Sequence, residues 1–157
     1  MDIRSSYMGA VFEPEQFSAT VEKTIKAAEL LRQEVRFDTI AFSGVSGSAM
    51  GFILGHWLSV PLICVRKMND GSHFQGFQGV RCVEGNLSAR RYMIVDDFIS
   101  SGKTVNYIID SISEQIPSAR CVAMLMYEGL RDREHKHPNF DLPIKVISSK
   151  IDEVYGY

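Results

Sequence analysis

Short apolar runs alternate along this chain with longer stretches in which apolar residues recur at helical spacing. The short runs are typical of buried parallel strands, and they cover residues 39–42, 62–65, 92–95, 121–126 and 144–147. The helical spacing covers residues 17–35, 47–58 and 104–116. The pattern therefore predicts an α/β fold, a Rossmann-like parallel sheet with helices on both faces.

One segment follows neither pattern. Between residues 69 and 86, glycines at 71, 76, 79 and 85 interrupt every regular spacing. The segment is too long for a simple connection inside a compact domain, and loops of this length are usually functional or disordered. We expect a mobile loop there.

Composition bounds the fold and the partners. The chain has 157 residues, one domain's worth, so we expect a single domain over residues 1–157. A net charge of -2 argues against nucleic acid as a partner.

The chain has no signal-peptide pattern and no apolar run of the roughly 20 residues that a membrane span requires, which predicts a cytoplasmic protein with no membrane partner. Three widely spaced cysteines indicate free thiols rather than a zinc site.

Residues 92–104 carry the most specific chemistry. An apolar strand pattern runs into Asp96 and Asp97, then into a loop of small and hydroxylated residues, and a helix follows from Thr104. At such a junction, backbone N–H groups and the positive end of the helix dipole attract an anion such as phosphate. The two acids would repel a phosphate, so we expect them to face vicinal hydroxyls or a divalent cation instead.

A second strand-loop-helix junction lies at residues 43–48, where serines alternate with glycines. If it lies at the same end of the sheet, the two anion sites suit a ligand with two phosphate groups. A tight turn without a ligand is the alternative at this junction. A Walker phosphate loop at residues 97–104 is excluded, because Asp97 stands where that motif requires glycine.

Residues 92–104 resemble the 5-phosphoribosyl-1-pyrophosphate (PRPP) loop of the type I phosphoribosyltransferases. The shared pattern is four apolar residues, two acids, two apolar residues, two small hydroxylated residues, Gly, any residue and Thr. Residues 37–67 are most similar to adenine phosphoribosyltransferases, and residues 83–85 resemble the end of the flap in orotate phosphoribosyltransferases. The chain departs from the family at Phe98, which is usually a smaller aliphatic residue, and at Ser43, which is often Arg or Lys.

The resemblance implies a type I phosphoribosyltransferase fold with a flexible flap and a small hood. It implies an enzyme that transfers the 5-phosphoribosyl group of PRPP to a nucleobase, giving a nucleoside 5'-monophosphate and pyrophosphate. The base is a purine such as adenine, or orotate. Mg2+ is the implied cofactor, and a homodimer the implied assembly.

The resemblance also implies roles for individual residues. Asp96 and Asp97 hold the ribose hydroxyls, directly or through a metal, and Arg66, Lys67 and His73 are the other catalytic candidates. The implied 5'-phosphate site is Phe98, Ile99, Ser100, Ser101, Gly102, Lys103 and Thr104. The implied pyrophosphate site is Ser43, Gly44, Val45, Ser46 and Gly47. For the base, the candidates are Val11 and Phe12, or Met126, Tyr127 and Glu128.

A binding or regulatory protein of the same fold is the alternative to an enzyme. Such a protein would sense PRPP or a nucleotide without turning it over. Ser43 and the lysine-poor flap favour this interpretation, whereas Arg66, Lys67 and the two acids favour catalysis.

Overall fold

The computed structural model of the protein describes residues 9–67, 83–99, 102–130, 144–147 and 154–156. In these residues, four helices surround one sheet of seven strands. The helices are α1 (Gly9–Phe12), α2 (Pro14–Glu34), α3 (Gly44–Leu58) and α4 (Lys103–Gln115). The strands are β1 (Thr39–Ser43), β2 (Leu62–Val65), β3 (Val83–Gly85), β4 (Arg91–Ile99), β5 (Arg120–Leu130), β6 (Ile144–Ile147) and β7 (Val154–Gly156).

The strand order in the sheet is β3-β2-β1-β4-β5-β6-β7. The five inner strands are parallel, and β3 and β7 add antiparallel edges. From β1 the chain moves outward to β2 and β3 and then returns to form β4 on the other side of β1. Ligands of open parallel sheets bind at such a reversal of strand order, beyond the carboxyl ends of the strands.

Helices cover both faces of the sheet, as predicted. On one face α2 and α3 bury Phe42, Met93 and Leu125 in a continuous core. On the other face α4 packs over Ile63 and Ile94. Met93 and Ile94 are adjacent in β4, and their side chains lie on opposite faces of the sheet. This central strand is therefore buried on both faces, which explains its continuous apolar run.

Helix α3 begins at Gly44, three residues before the predicted start. Its glycines allow the helix to lie directly on β1. A Cβ atom at Gly51 would be 2.5 Å from Cδ1 of Phe42, and one at Gly47 would be 3.1 Å from the carbonyl oxygen of Val95. The helix therefore reaches the carboxyl ends of β1 and β4 with no side chain between them.

The predicted flap is partly regular. Residues 83–85 form β3, antiparallel to β2, so the expectation of an irregular segment is wrong for these residues. The rest of the predicted flap up to residue 82, including His73, lies outside the described residues. Cys121 is a free thiol, and Cys64 and Cys121 form no disulfide among the described residues. Among the described helices, none is both long and apolar enough to cross a bilayer.

Candidate active site

The ends of β1, β2 and β4 meet the first turn of α4 around a cleft of about 180 Å³. The structure thus brings the two predicted junctions to one edge of the sheet. The lining residues among those described are Ser43, Ser46, Lys67, Asp96, Asp97, Phe98, Ile99, Gly102, Lys103, Thr104 and Val105.

Asp96 and Asp97, the acid pair, are almost enclosed, with exposed fractions of 4% and 5%. Oδ1 of Asp96 accepts hydrogen bonds from the Ser46 hydroxyl and from the Asp97 backbone N–H, each 2.9 Å long. Oδ1 of Asp97 accepts one from the backbone N–H of Phe98, also 2.9 Å. Oδ2 of Asp97 is buried and has no hydrogen-bond partner among the described residues. A buried carboxylate oxygen in this state is costly unless a ligand satisfies it.

Burial, followed by the charge of Asp97, raises the pKa of Asp96 to about 7. The hydrogen bonds from Ser46 and from the Asp97 N–H oppose the shift, because they favour the charged carboxylate. Asp96 therefore exchanges its proton near neutral pH. A ligand that brings positive charge or hydrogen-bond donors would favour the ionised pair.

A bulge in β5 lies beside the acid pair. Asp96 pairs with Met126 and Phe98 pairs with Gly129, so Asp97 lies opposite two residues of β5, Tyr127 and Glu128. The hydroxyl of Tyr127 donates a hydrogen bond of 2.7 Å to the backbone carbonyl of Ser46. This bond ties β5 to the β1–α3 junction and so helps to position the Ser46 hydroxyl on Asp96.

Tyr127 is fully buried in the core beneath α2 and α3. Its ring is enclosed by protein, so the structure gives it a packing role instead of the predicted stacking surface for a base. The neighbouring Glu128 is half-buried, but its Oε1 atom is enclosed and has no hydrogen-bond partner in the described part of the chain. Burial and then the charge of Asp97 raise the pKa of Glu128.

The β1–α3 junction forms the opposite wall of the cleft. Ser43 is 2% exposed, and its Oγ atom has no partner among the residues described. Gly44 has φ of +69° and lies against Lys67, whose Cε atom would be 3.3 Å from a Cβ at this position. The left-handed φ favours glycine at position 44, and a side chain there would also require a small shift of the lysine. Val45 is exposed, and Gly47 packs behind the cleft against Phe42.

Arg66 and Lys67 diverge, although they are adjacent. Lys67 lines the cleft, whereas Arg66 forms a two-pronged ion pair with Glu84 of β3, with N–O distances of 2.7 and 3.2 Å. The Tyr107 hydroxyl also donates to the Arg66 carbonyl over 2.9 Å. No local sequence pattern indicates Glu84 as the partner of Arg66, because their contact depends on the antiparallel pairing of β2 and β3.

The first turn of α4 closes the cleft. Gly102 precedes it with φ of +73°, and Lys103 and Thr104 begin the helix with no acidic residue in the first turn. The helix therefore directs backbone N–H groups and its positive dipole end at the cleft. A second cavity of about 350 Å³ adjoins this turn, and it is lined by Ser43, Lys67, Lys103, Thr104 and Tyr107.

Several predicted site residues lie elsewhere. Val11 of α1 packs against the core below α2 and α3, and Phe12 is exposed. Neither is among the described residues that line the cleft. Ser100 and Ser101 of the predicted phosphate loop lie outside the described residues.

Among the described residues, the acid pair is the candidate site for a metal ion. In the described part of the chain, no group of three or more His, Cys, Asp or Glu side chains could hold an ion. Asp96 and Asp97 offer two carboxylates, one of them with an unpartnered oxygen. Two carboxylates with further ligands from a bound phosphate are a typical Mg2+ arrangement, so the residues fit a magnesium ion that is shared with a phosphate-bearing substrate.

Comparison with known proteins identifies the fold. No protein-family model and no curated protein matches the sequence. Orotate phosphoribosyltransferase from Aeropyrum pernix has a TM-score of 0.59 at 17% identity, and the match covers 80% of this chain and 66% of that one. Adenine phosphoribosyltransferase from Saccharomyces cerevisiae, solved with an imino-altritol bisphosphate and adenine, has a TM-score of 0.62 at 18% identity, covering 90% and 83%.

Adenine phosphoribosyltransferase from Trypanosoma brucei, in complex with AMP, pyrophosphate and ribose-5-phosphate, has a TM-score of 0.56 at 14% identity. That match covers 89% of this chain and 66% of the Trypanosoma chain. This chain thus spans about two thirds of the length of two of these enzymes. The likenesses show the type I phosphoribosyltransferase fold, and the predicted fold class is confirmed.

The raised pKa of Asp96 predicts how stability depends on pH. An aspartate in an unfolded chain titrates near pH 4, so between about pH 4 and 7 the folded protein holds a proton that the unfolded chain has lost. The stabilisation from this proton is lost as the pH rises through about 7. Each pH unit in that window lowers the free energy of unfolding by about 1.4 kcal/mol, so Asp96 lowers it by about 2.6 kcal/mol between pH 5 and 8.

Asp96→Asn keeps an oxygen for both hydrogen bonds and removes the titration. Urea unfolding from pH 5 to 8, in buffer with a metal chelator, should therefore show a smaller decline for Asp96→Asn than for the wild type. Asp110→Asn, an exposed change on α4, is the control and should follow the wild type. Equal pH slopes for Asp96→Asn and the wild type would contradict the assignment of the shift to Asp96.

Proposed function

We propose that this protein is an enzyme that transfers the 5-phosphoribosyl group of PRPP to a nitrogenous base, a purine such as adenine or orotate. The products are a nucleoside 5'-monophosphate and pyrophosphate. The observation that carries the proposal is the buried acid pair with its unpartnered Asp97 oxygen, between a helix N-terminus on one side and Ser43 with Lys67 on the other. The fold shared with the Aeropyrum and Saccharomyces enzymes supports it.

Each part of PRPP has a matching surface in the cleft. The first turn of α4, with the Thr104 hydroxyl, suits the 5'-phosphate, because its N–H groups and dipole favour an anion. The acid pair suits the two ribose hydroxyls, since an ionised carboxylate only accepts hydrogen bonds. The Ser43 hydroxyl, the amides of the β1–α3 junction and Lys67 suit the diphosphate.

In the reaction, the bond from C1 of the ribose to a diphosphate oxygen breaks, and its electron pair leaves with the diphosphate. A bond from C1 to a nitrogen of the base forms, and the N–H proton of that nitrogen passes to the departing diphosphate or to water. Negative charge grows on the diphosphate and positive charge on the ribose as the first bond breaks. Lys67 stabilises the leaving diphosphate, and the acid pair holds the ribose so that the base approaches C1 in line. The implied roles of Arg66 and His73 remain predictions.

Asp96 and Asp97 would hold a magnesium ion together with PRPP oxygens. When bound, Mg2+ offsets the negative charge of the diphosphate and so assists its departure. The chain's own contribution is to keep the two carboxylates adjacent, through the hydrogen bonds from Ser46 and from the backbone N–H groups of Asp97 and Phe98.

We further propose a single-domain cytoplasmic protein that forms a homodimer. One sheet that joins all seven strands of the described residues supports the single domain. A free thiol at Cys121 is typical of a reducing compartment. Helix α3 supports the dimer: it exposes Val45, Phe52 and Trp57 and contains no Asp, Glu, Lys or Arg. Two copies can pack along the side of this helix that carries Val45 and Phe52 without burying a charge of α3 itself.

Substitution of Asp97 in the acid pair tests the proposed reaction. Pyrophosphate release from PRPP with Mg2+ should be measured across adenine, guanine, hypoxanthine, xanthine, orotate and uracil. With the best base, Asp97→Asn should lower kcat at least 100-fold, because the amide cannot replace both carboxylate interactions. Asp110→Asn is the exposed control and should leave kcat within twofold. Full activity in Asp97→Asn would remove the acid pair from the mechanism.

Lys67 distinguishes an enzyme from a PRPP sensor. The charge that Lys67 meets grows as the diphosphate leaves, so Lys67→Ala should lower kcat more than it weakens PRPP binding measured by calorimetry. Lys26→Ala, an exposed change on α2, should alter neither quantity. Tight PRPP binding by the wild type with no pyrophosphate release for any base would support the sensor.

Light scattering during size-exclusion chromatography tests the dimer. The wild type should have twice the monomer mass of 17.7 kDa. Phe52→Asp places a charge in the middle of the exposed face of α3 and should give monomers. Leu87→Asp, an exposed apolar residue outside α3, is the control and should leave the dimer intact. A monomeric wild type, or a dimer in Phe52→Asp, would contradict the α3 interface.

A further inference from the structure

Lys67 lies just beyond the end of β2, where the strand pairing stops. The pairing of β2 with β1 and with β3 ends at Val65. Lys67 nevertheless lines both cavities, and its Nζ atom lies 3.4 Å from the position that a Cβ atom at Gly44 would take. A lysine side chain is long and flexible, so a fixed position for its ammonium group requires a fixed backbone. Contacts outside the strand pairing therefore bear on where this charge lies.

Two side-chain contacts tie down the backbone that precedes Lys67. The hydroxyl of Tyr107, on α4, donates a hydrogen bond of 2.9 Å to the carbonyl oxygen of Arg66. This carbonyl belongs to the planar peptide group that joins Arg66 to Lys67. The guanidinium of Arg66 also forms the two-pronged ion pair with Glu84 of β3. The peptide group is thus connected both to a helix and to the edge strand of the sheet.

Tyr107 is well placed on α4 for such a contact. Its half-buried ring packs against the apolar core beneath the helix and lines the second cavity beside Lys67. Tyr107 follows Thr104 by about one helical turn. The same helix therefore offers its first turn to a 5'-phosphate and its second turn to the backbone of Lys67. A rigid α4 sets the spacing between the phosphate end of the substrate and the lysine.

We propose that Tyr107 positions Lys67 for the reaction. Its hydroxyl, together with the ion pair between Arg66 and Glu84, fixes the peptide group from which the lysine reaches the departing diphosphate. The proposal rests on the proposed phosphoribosyl transfer and on the role of Lys67 in it. Tyr107 and Glu84 touch no substrate in this arrangement. Arg66 becomes an anchor of the chain instead of the catalytic group that the resemblance implies.

Tyr107→Phe tests the contact, because it keeps the packed ring and removes the hydroxyl. With PRPP, Mg2+ and the best base, we expect kcat to fall about fivefold, since a displaced catalytic group costs rate. The dissociation constant of PRPP, measured by calorimetry, should stay within about twofold. Tyr92→Phe is the matched control, because it removes the hydroxyl of a buried tyrosine at the start of β4, the end of the strand away from the cleft. Its kcat should equal that of the wild type.

A double-mutant cycle with Lys67→Ala separates positioning from a general weakening of the fold. If Tyr107 acts through Lys67, removal of the hydroxyl should change kcat by less than about twofold once the lysine is absent. The same fivefold loss in both backgrounds would overturn the proposal. An unchanged kcat in Tyr107→Phe would overturn it as well.

Glu84→Gln tests the other contact, because it removes the charge that pairs with Arg66. If Arg66 is an anchor, kcat should fall about threefold or more, and by less than about twofold in the Lys67→Ala background. If Arg66 instead acts on the diphosphate, its release from Glu84 should leave kcat unchanged or raise it, which would contradict the anchor. Glu22→Gln, an exposed change on α2, is the control.

The outcomes distinguish this inference from the proposed function. If the wild type releases pyrophosphate and the effects of Tyr107 and Lys67 are independent, the positioning role is overturned and phosphoribosyl transfer stands. If the wild type releases no pyrophosphate with any base, the proposed transfer fails, and the cycle is measured on PRPP binding with Mg2+. Weaker binding in Tyr107→Phe that disappears in the Lys67→Ala background supports the positioning of Lys67. Independent effects on binding, or no effect of Tyr107→Phe, overturn it.

Discussion

The cost of burying two adjacent carboxylates governs the architecture of this site. Asp96 and Asp97 end the central strand at positions that water barely reaches, so their charge depends on hydrogen bonds from the protein. The Ser46 hydroxyl and two backbone N–H groups supply those bonds. Tyr127 in turn holds the backbone of Ser46 from β5. Strands β4 and β5 and the start of α3 are thus fixed relative to one another by the need to solvate one pair of acids.

The sheet topology brings the complementary charges to the same place. Because the strand order reverses between β1 and β4, the ends of these strands open into one crevice instead of being covered by a crossover helix. The glycines of α3 let the helix lie on β1, and Gly44 leaves room for Lys67 at the rim. Small residues around the crevice therefore determine how closely a cation approaches the ligand.

Local patterns in the sequence predicted the main elements and the two junctions. The central strand and the acids after it could be recognised because burial on both faces produces a continuous apolar run, and the acids interrupt it. The edge strands β3 and β7, with three residues each, are too short to produce a period. The partners of Arg66 and Tyr127 depend on contacts between strands distant in sequence, and Tyr127 is 81 residues from Ser46. The residues next to Arg66 and Tyr127 in the sequence could not indicate that Arg66 is paired at the surface and that Tyr127 is enclosed.

The bulge in β5 has a consequence for how this region tolerates insertions and deletions. Beyond Met126, an extra residue in β5 decides which face of the sheet each later side chain joins. Removing one residue there would restore regular pairing with β4 and exchange the faces of everything that follows in the strand. The fully buried Met126 and Tyr127 depend on the register that this extra residue sets, so the length of the segment is under structural constraint together with its buried residues.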